Sequence, residues 1–277
     1  MPTTTYLNLM GGLGNQLFQI FALINYSIEN NTQFKINKIK EDMVSPCDGK
    51  SPRPVYWETI FINLYKYTYE NNNLYVNVYD EPGFSYNKIP YYDNDILIKG
   101  FFQSEKYFKA NYKQILLDIL NIHEIKKSII YYPHDNKTTV SIHFRIGDYI
   151  TGKHYGNILE LPYYISSLNY IKEHCKEPIR VLYFKEESDN VDIMMNELQN
   201  MFPDIEFVQS EGSDWEQLLQ MSLCKHNIIA NSSFSWWGAY LNENENKMVC
   251  YPNTWFDEKY SFLNTTDLIP EKWIKIK

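Results

Sequence analysis

The sequence predicts an α/β protein in two halves, each a mostly parallel sheet with helices on both faces. Three observations predict it. The chain opens as an apolar strand, a glycine turn and a helix, the usual first unit of an α/β domain. Short apolar runs then alternate with amphipathic segments at helical spacing along its length. After the polar stretch "YYPHDNK" a fresh α/β series begins, which divides the chain into an N-terminal domain over 1–133 and a C-terminal domain over 134–277.

The elements follow in order. "YLNLM" is a strand, and Leu17, Phe21, Ile24 and Ile28 recur at helical spacing behind the glycine turn. "EDMVSPCDGKSPRP" is a loop, dense in Pro, Gly, Ser and Asp. "WETIFINLYKYT" is expected as a helix and "NLYVNVYD" as an alternating strand. "DILIKG" is a strand closed by Gly100, and "SEKYFKANYKQILLDIL" is expected as one helix capped by Ser104. In the second half, "TTVSIHF", "IRVLYF", "IEFV", "NIIAN" and "KMVCY" are strands. The helices between them are "LPYYISSLNYIKEH" with Pro162 in its first turn, "NVDIMMNELQNMF", "DWEQLLQMSLCKH" behind a Ser213–Glu216 capping box, and "FSWWGAYLN". The amphipathic tail "TTDLIPEKWIKIK" is expected to pack back on the body, against the N-terminal domain.

Composition limits the function. With 277 residues, 44% apolar and 22% charged, the chain is long enough for one large or two modest cores. A formal charge of −8 argues against binding a nucleic-acid backbone. No apolar run approaches the ~20 residues of a membrane span, and the first strand begins too early to leave room for a presequence. Cys47, Cys175, Cys224 and Cys250 form no C-x-x-C pair and read as reduced thiols. N-x-S/T triplets occur at Asn25, Asn30, Asn136, Asn231 and Asn264, but a glycan at Asn231 would fall in a functional segment. These features point to the cytoplasm. The six histidines make no H-x-x-x-H pair and no carboxylate cluster has ligand spacing, so no metal site is expected.

Open α/β sheets bind ligands beyond the carboxyl ends of their strands. Three constellations lie there. The first is "GGLGNQLF", Gly11 to Phe18. Gly12 and Gly14 are read as supplying a tight turn, and the following helix start offers free N–H groups to an anion. Asn15 either caps the helix or meets a ligand hydroxyl, with Gln16 beside it. Leu17 occupies the sixth position, so the dinucleotide pattern G-x-G-x-x-G fails, and no acidic residue follows at the right distance. The second constellation is "SIHFRIGDY", where His143 and Arg145 share a strand face and Asp148 follows. A guanidinium is a natural phosphate clamp; an internal Arg145–Asp148 pair beside a buried histidine is the structural alternative. The third is "SLCKHNIIANSSFSWWGAYL". Asn231, Ser232 and Ser233 end a strand and open a helix, where hydroxyls either cap the helix or bind phosphate. At least one of Trp236 and Trp237 belongs to the core.

Together these segments resemble the α-1,2-fucosyltransferase family. The resemblance rests on "GGLGNQLFQ" (Gly11 to Gln19), "GFFQSEKYF" (Gly100 to Phe108), "HFRIGDY" (His143 to Tyr149) and "SLCKHNIIANSSFSWWGAYL", in that order, then "PNTWF" and "IPEKWIKI". It implies a GT-B type fold, two Rossmann-like domains facing across a cleft. The implied reaction is inverting, metal-independent transfer of L-fucose from GDP-fucose to the 2-hydroxyl of a galactoside acceptor. By resemblance, His143 and Arg145 are donor contacts and Asn231 to Ser233 lie beside the guanosine diphosphate. Gly12, Gly14, Asn15 and Gln16 form the N-terminal loop at the cleft. Asp148 and His154 are the candidate general bases. Two positions depart from the family pattern. Ile146 stands where many members carry a second arginine, and "KEESDN" replaces an "SDD"-like segment, with Asp189 or Glu187 in its place. These departures keep two alternatives open: a transferase for another nucleotide sugar, and a glycan-binding protein that has lost catalysis.

Overall fold

The structure is a computed structural model describing residues 3–38, 43–44, 52–70, 76–129, 136–150 and 158–277. It divides into two compact units, Met1–Ser128 with Leu263–Pro270, and Ile129–Phe262 with Glu271–Lys277.

The first unit is built on β1 (Thr4–Leu7), α1 (Leu13–Asn30) and β2 (Gln33–Asn37), a short antiparallel pair β3 (Met43–Val44) and β4 (Pro52–Arg53), then β5 (Thr68–Tyr69), β6 (Asn77–Asp80) and β7 (Ile96–Lys99). Its main sheet is parallel throughout, in the order β5-β2-β1-β7-β6. α1 is apolar nearly all round and correspondingly buried from Leu13 to Ser27, with Asn15 the one exception in that run. It ends where Asn31 turns left-handed at φ 52° and its N–H caps the Ile28 carbonyl.

Two expected helices are broken here. "WETIFINLYKYT" forms turns followed by a 3₁₀ helix over Ile62–Tyr67. "SEKYFKANYKQILLDIL" is a chain of short turns: 3₁₀ at Glu105–Tyr107 and Lys109–Asn111, α2 (Tyr112–Gln114), then a π turn over Ile115–Ile119. The break lies at Phe108, whose backbone leaves the helical region at φ −145°, ψ −3°. Its fully buried ring packs against Phe18 and Phe21, so aromatic packing overrides helix propensity. Ser104 does cap the first of these turns, accepting from the Lys106 N–H. α3 (Ile122–Lys127) completes the unit's helices among the described residues.

The second unit contains β8 (Thr138–His143), α4 (Gly147–Ile150), α5 (Leu161–His174), β9 (Ile179–Phe184), α6 (Asp192–Met201), β10 (Glu206–Gln209), α7 (Asp214–Leu223), β11 (His226–Ile228), α8 (Ser233–Tyr240), β12 (Val249–Pro252) and β13 (Ile274–Ile276). Its parallel sheet runs β10-β9-β8-β11-β12-β13. Numbered within the unit this is 3-2-1-4-5-6, the doubly wound order of dinucleotide-binding sheets. β8 is buried along its whole length, as a central strand covered on both faces must be. Trp236 and Trp237 are both fully buried. The Ser213–Glu216 capping box forms as expected.

The tail is shared by the two units. In the first, the Asp267 carboxylate accepts the Tyr86 N–H (3.0 Å) and pairs with Lys106, while its carbonyl accepts the Ser104 hydroxyl (2.6 Å). In the second, β13 pairs with β12 as the edge strand. No helix among the described residues is long and apolar enough to cross a membrane.

Candidate active site

A doubly wound sheet reverses its strand order at one point, and the crevice there is where its loops diverge. In the first unit the reversal falls between β1 and β7. In the second it falls between β8 and β11. The sequence constellations sit at these two points.

In the first unit, the turn after β1 is shaped by Gly11, not by Gly12 and Gly14. Gly11 is the left-handed residue, at φ 76°. Gly12 is extended and is the N-cap of α1, and Gly14 is already helical and buried. The φ requires glycine, and a Cβ there would lie 2.6 Å from the Asn15 amide nitrogen and displace it. The cap reading of Asn15 is corrected too: no side chain caps α1. The Asn15 oxygen instead accepts a hydrogen bond from the Gln103 amide (2.8 Å), reaching from the loop after β7. Gln16 is fully buried and donates to the carbonyls of Gly11 (3.0 Å) and Pro54 (2.8 Å); it builds the turn from within. Gln19 bonds Met10 in both directions and locks the same turn to the helix.

In the second unit, β8 delivers His143 and Arg145 to the strand end. His143 is buried against the Phe234 ring, 5.5 Å between centroids. Its Nδ1 has no hydrogen-bond partner among the described residues. Burial, reinforced by the neighbouring Arg145 charge, lowers its pKa to about 3, so the ring is neutral near pH 7. Arg145 forms an ion pair with Glu186 from the loop after β9, and its guanidinium lies 5.8 Å over the Tyr149 ring. Glu186 is thus one carboxylate partner of Arg145; the Asp148 side chain lies outside the described residues. Asp148 lies in α4, one turn beyond Arg145. His154 lies outside the described residues.

Asn231 is buried and donates to the Trp255 carbonyl (2.8 Å), and its own carbonyl accepts the Tyr149 hydroxyl (2.9 Å). Tyr149 thereby joins the β8 loop to the β11 loop across the switch point. Ser232 is the N-cap of α8 and accepts from the Phe234 N–H, while Ser233 opens the helix half-buried. Helix-start amides and the Arg145 guanidinium therefore stand at neighbouring strand ends.

A sequence profile described as glycosyl transferase family 11 matches residues 3–277. The chain belongs to glycosyl transferase family 11. The O-antigen biosynthesis glycosyltransferase WbnK of Escherichia coli is 27% identical over 320 residues, spanning 98% of this chain and 100% of WbnK. An alpha-1,2-colitosyltransferase of Escherichia coli is 28% identical over 292 residues, spanning 97% of each chain. Among solved structures, a GDP complex of a FUT1 variant from Arabidopsis thaliana matches with a TM-score of 0.51 at 12% identity, covering 90% of this chain and 70% of that one. The fold class is GT-B, two parallel-sheet α/β domains.

Sequence reasoning missed three residues that organise the two strand reversals, Glu186 and Asp189 in the second unit and Gln103 in the first. The sequence offers Asp189 only as a stand-in for a family segment. It is a buried clasp: one carboxylate oxygen accepts the N–H groups of Ile146 (2.7 Å) and Gly147 (2.5 Å), the other that of Glu186 (2.8 Å). It ties the loop carrying Arg145 to the loop carrying Glu186. Gly147 is needed beside it, because a Cβ would lie 2.7 Å from the Ser188 Cβ and 2.9 Å from its backbone. Glu186 and Gln103 carried no spacing signal; each is defined by a partner more than forty residues away. Ile146 is buried in the apolar core, so no second cation stands there. Among the described residues no group of three or more His, Cys, Asp or Glu side chains is assembled to hold a metal ion.

Proposed function

We propose that this family 11 glycosyltransferase moves L-fucose from GDP-fucose to the 2-hydroxyl of a galactoside, with inversion and without a bound metal. The observation that carries this reading is the position of Arg145. It stands at the switch point of a 3-2-1-4-5-6 sheet, beside neutral His143 and next to the N-terminus of α8.

The chemistry follows from that position. The acceptor oxygen attacks C1 of the donor sugar, the C1–O bond to the diphosphate breaks, and its electron pair leaves with GDP. The growing charge on the β-phosphate is met by the Arg145 guanidinium, by α8 amides and by the Ser232 and Ser233 hydroxyls. Glu186 holds Arg145 in place before the donor arrives, which reduces the reorganisation needed on binding. The acceptor proton passes to Asp148 or His154 as general base. In the first unit Gly12 and Asn15 are the residues of the glycine turn left open to a sugar, while Gly14 and Gln16 are buried and shape the turn from within.

A second reading, transfer of a different sugar from its nucleotide, is favoured by the similarity to an alpha-1,2-colitosyltransferase and by Ile146. A panel of GDP-, UDP- and dTDP-sugars separates the two. The first reading expects turnover of GDP-fucose, unchanged by EDTA, and a loss of 10²-fold or more, as an order of magnitude, in Arg145→Ala. Full turnover in that variant would refute the site assignment.

A further inference from the structure

We infer that Asn15 and Gln103 form a sugar-hydroxyl reading pair at the switch point of the first unit, a specificity-determining site with Gln103 as its second member. The inference rests on the glycosyltransferase reading above and deepens it.

Between Gly11 and Ser27 only Gly12 and Asn15 escape burial. Across the reversal, Phe102 and Ser104 are fully buried and Gln103 between them is only partly buried. Two amides thus emerge together from two otherwise buried segments, at the ends of adjacent strands β1 and β7. They share one hydrogen bond, Gln103 Nε2 to Asn15 Oδ1, at 2.8 Å. Among the described residues neither side chain makes another. The pair is left with N–H donors on Asn15 and a carbonyl acceptor on Gln103. Exchanging O and N in both amides leaves the same complement, one bond inside the pair and a donor and an acceptor outside it. A donor beside an acceptor matches two neighbouring hydroxyls of a pyranose, each of which both gives and takes a hydrogen bond.

The backbone behind Gln103 is held for this purpose. The half-buried Glu81 carboxylate accepts the N–H groups of Phe101 and Phe102, both at 2.8 Å. Phe102 is held left-handed at φ 52°, an uncommon conformation for a bulky residue that persists only where its surroundings impose it. On the other side, the Ser104 hydroxyl is bonded to the Asp267 carbonyl. Gln103 is therefore presented from a fixed backbone, as a discriminating contact requires. A purely structural amide pair would need no such exposure.

The hydroxyls belong either to the transferred sugar or to the acceptor, and the test distinguishes them. Gln103→Leu keeps the bulk and removes the amide. Its kcat/KM is measured against wild type with GDP-fucose and methyl β-galactoside, and with single-deoxy forms of each. GDP affinity serves as the control for folding. The expected result is a loss of about tenfold for the parent sugars, the worth of one neutral hydrogen bond, with GDP affinity unchanged. That loss vanishes for the one deoxy compound lacking the hydroxyl read by Gln103. Disappearance within the galactoside series places the pair on the acceptor; disappearance within the donor series places it on the transferred sugar. An unchanged kcat/KM, or a loss uniform over every compound, overturns the inference while wild-type turnover leaves the glycosyltransferase reading standing. A wild type that neither binds GDP nor consumes GDP-fucose overturns both.

Discussion

At the scale of single residues, two buried histidines set how the second unit responds to acid. His143 is lowered to about 3 by burial and then by Arg145, and His226 to about 4 by burial and then by Lys225. His226 shows how neutrality is used: its Nδ1 accepts the Met248 N–H (3.0 Å), which a protonated ring cannot do. Both rings remain neutral in the fold while the unfolded chain protonates them below about pH 6.5. The unfolded state then binds more protons, so stability is full above pH 6.5 and falls as pH drops toward 4 and then 3. Urea unfolding as a function of pH checks this. His143→Asn is expected to flatten the acid limb by up to about 1.4 kcal/mol per pH unit. An unchanged slope would show that His143 is not held neutral.

At the scale of elements, the loops after β8 and β9 act as one piece because Asp189 joins them. Asp189→Ala leaves three backbone N–H groups without their carboxylate and is expected to cost about 3 kcal/mol, the scale of charge-assisted bonds lost together. The urea midpoint gives that cost, and donor affinity should fall with it as Arg145 and Glu186 lose their common anchor. These loops also show where the sequence was legible. Ile179–Phe184 could be read directly as the mostly apolar run of a central parallel strand, and Thr138–His143 from its β-branched residues Thr138, Thr139, Val140 and Ile142. Gln33–Asn37 was legible as well, since Phe34 and Ile36 alternate with polar residues as in a half-buried strand, although no strand is expected there above. The helix expected over Ser104–Leu120 failed because Phe108 is placed by distant aromatic rings, which no local window contains. The site divides the same way. His143, Arg145 and Asn231 to Ser233 follow strands in sequence and were visible. Glu186, Asp189 and Gln103 act through partners brought close by folding, and local spacing cannot register them.

At the scale of the molecule, both units depend on the last fifteen residues. Leu263–Pro270 supplies Asp267 and the buried Leu268 to the first unit, and Glu271–Lys277 supplies β13 and Trp273 to the second, where Trp273 packs 5.4 Å from Trp236. Removing residues 271–277 should therefore lower the thermal stability of the second unit and leave the Tyr86, Ser104 and Lys106 contacts of the first intact. Removing 263–277 should destabilise both, read as protease sensitivity spreading to the N-terminal half. Each of the two parallel sheets carries polar groups at its strand reversal, which is the feature the proposed glycosyl transfer rests on. The most direct test of that claim is the release of GDP from GDP-fucose, with a galactoside present, by the wild-type chain and by Arg145→Ala. The account predicts turnover by the wild type and a loss on the order of 10²-fold or more in the variant, with its folding preserved. Equal turnover by the two proteins, or turnover confined to UDP- or dTDP-sugars, would contradict it.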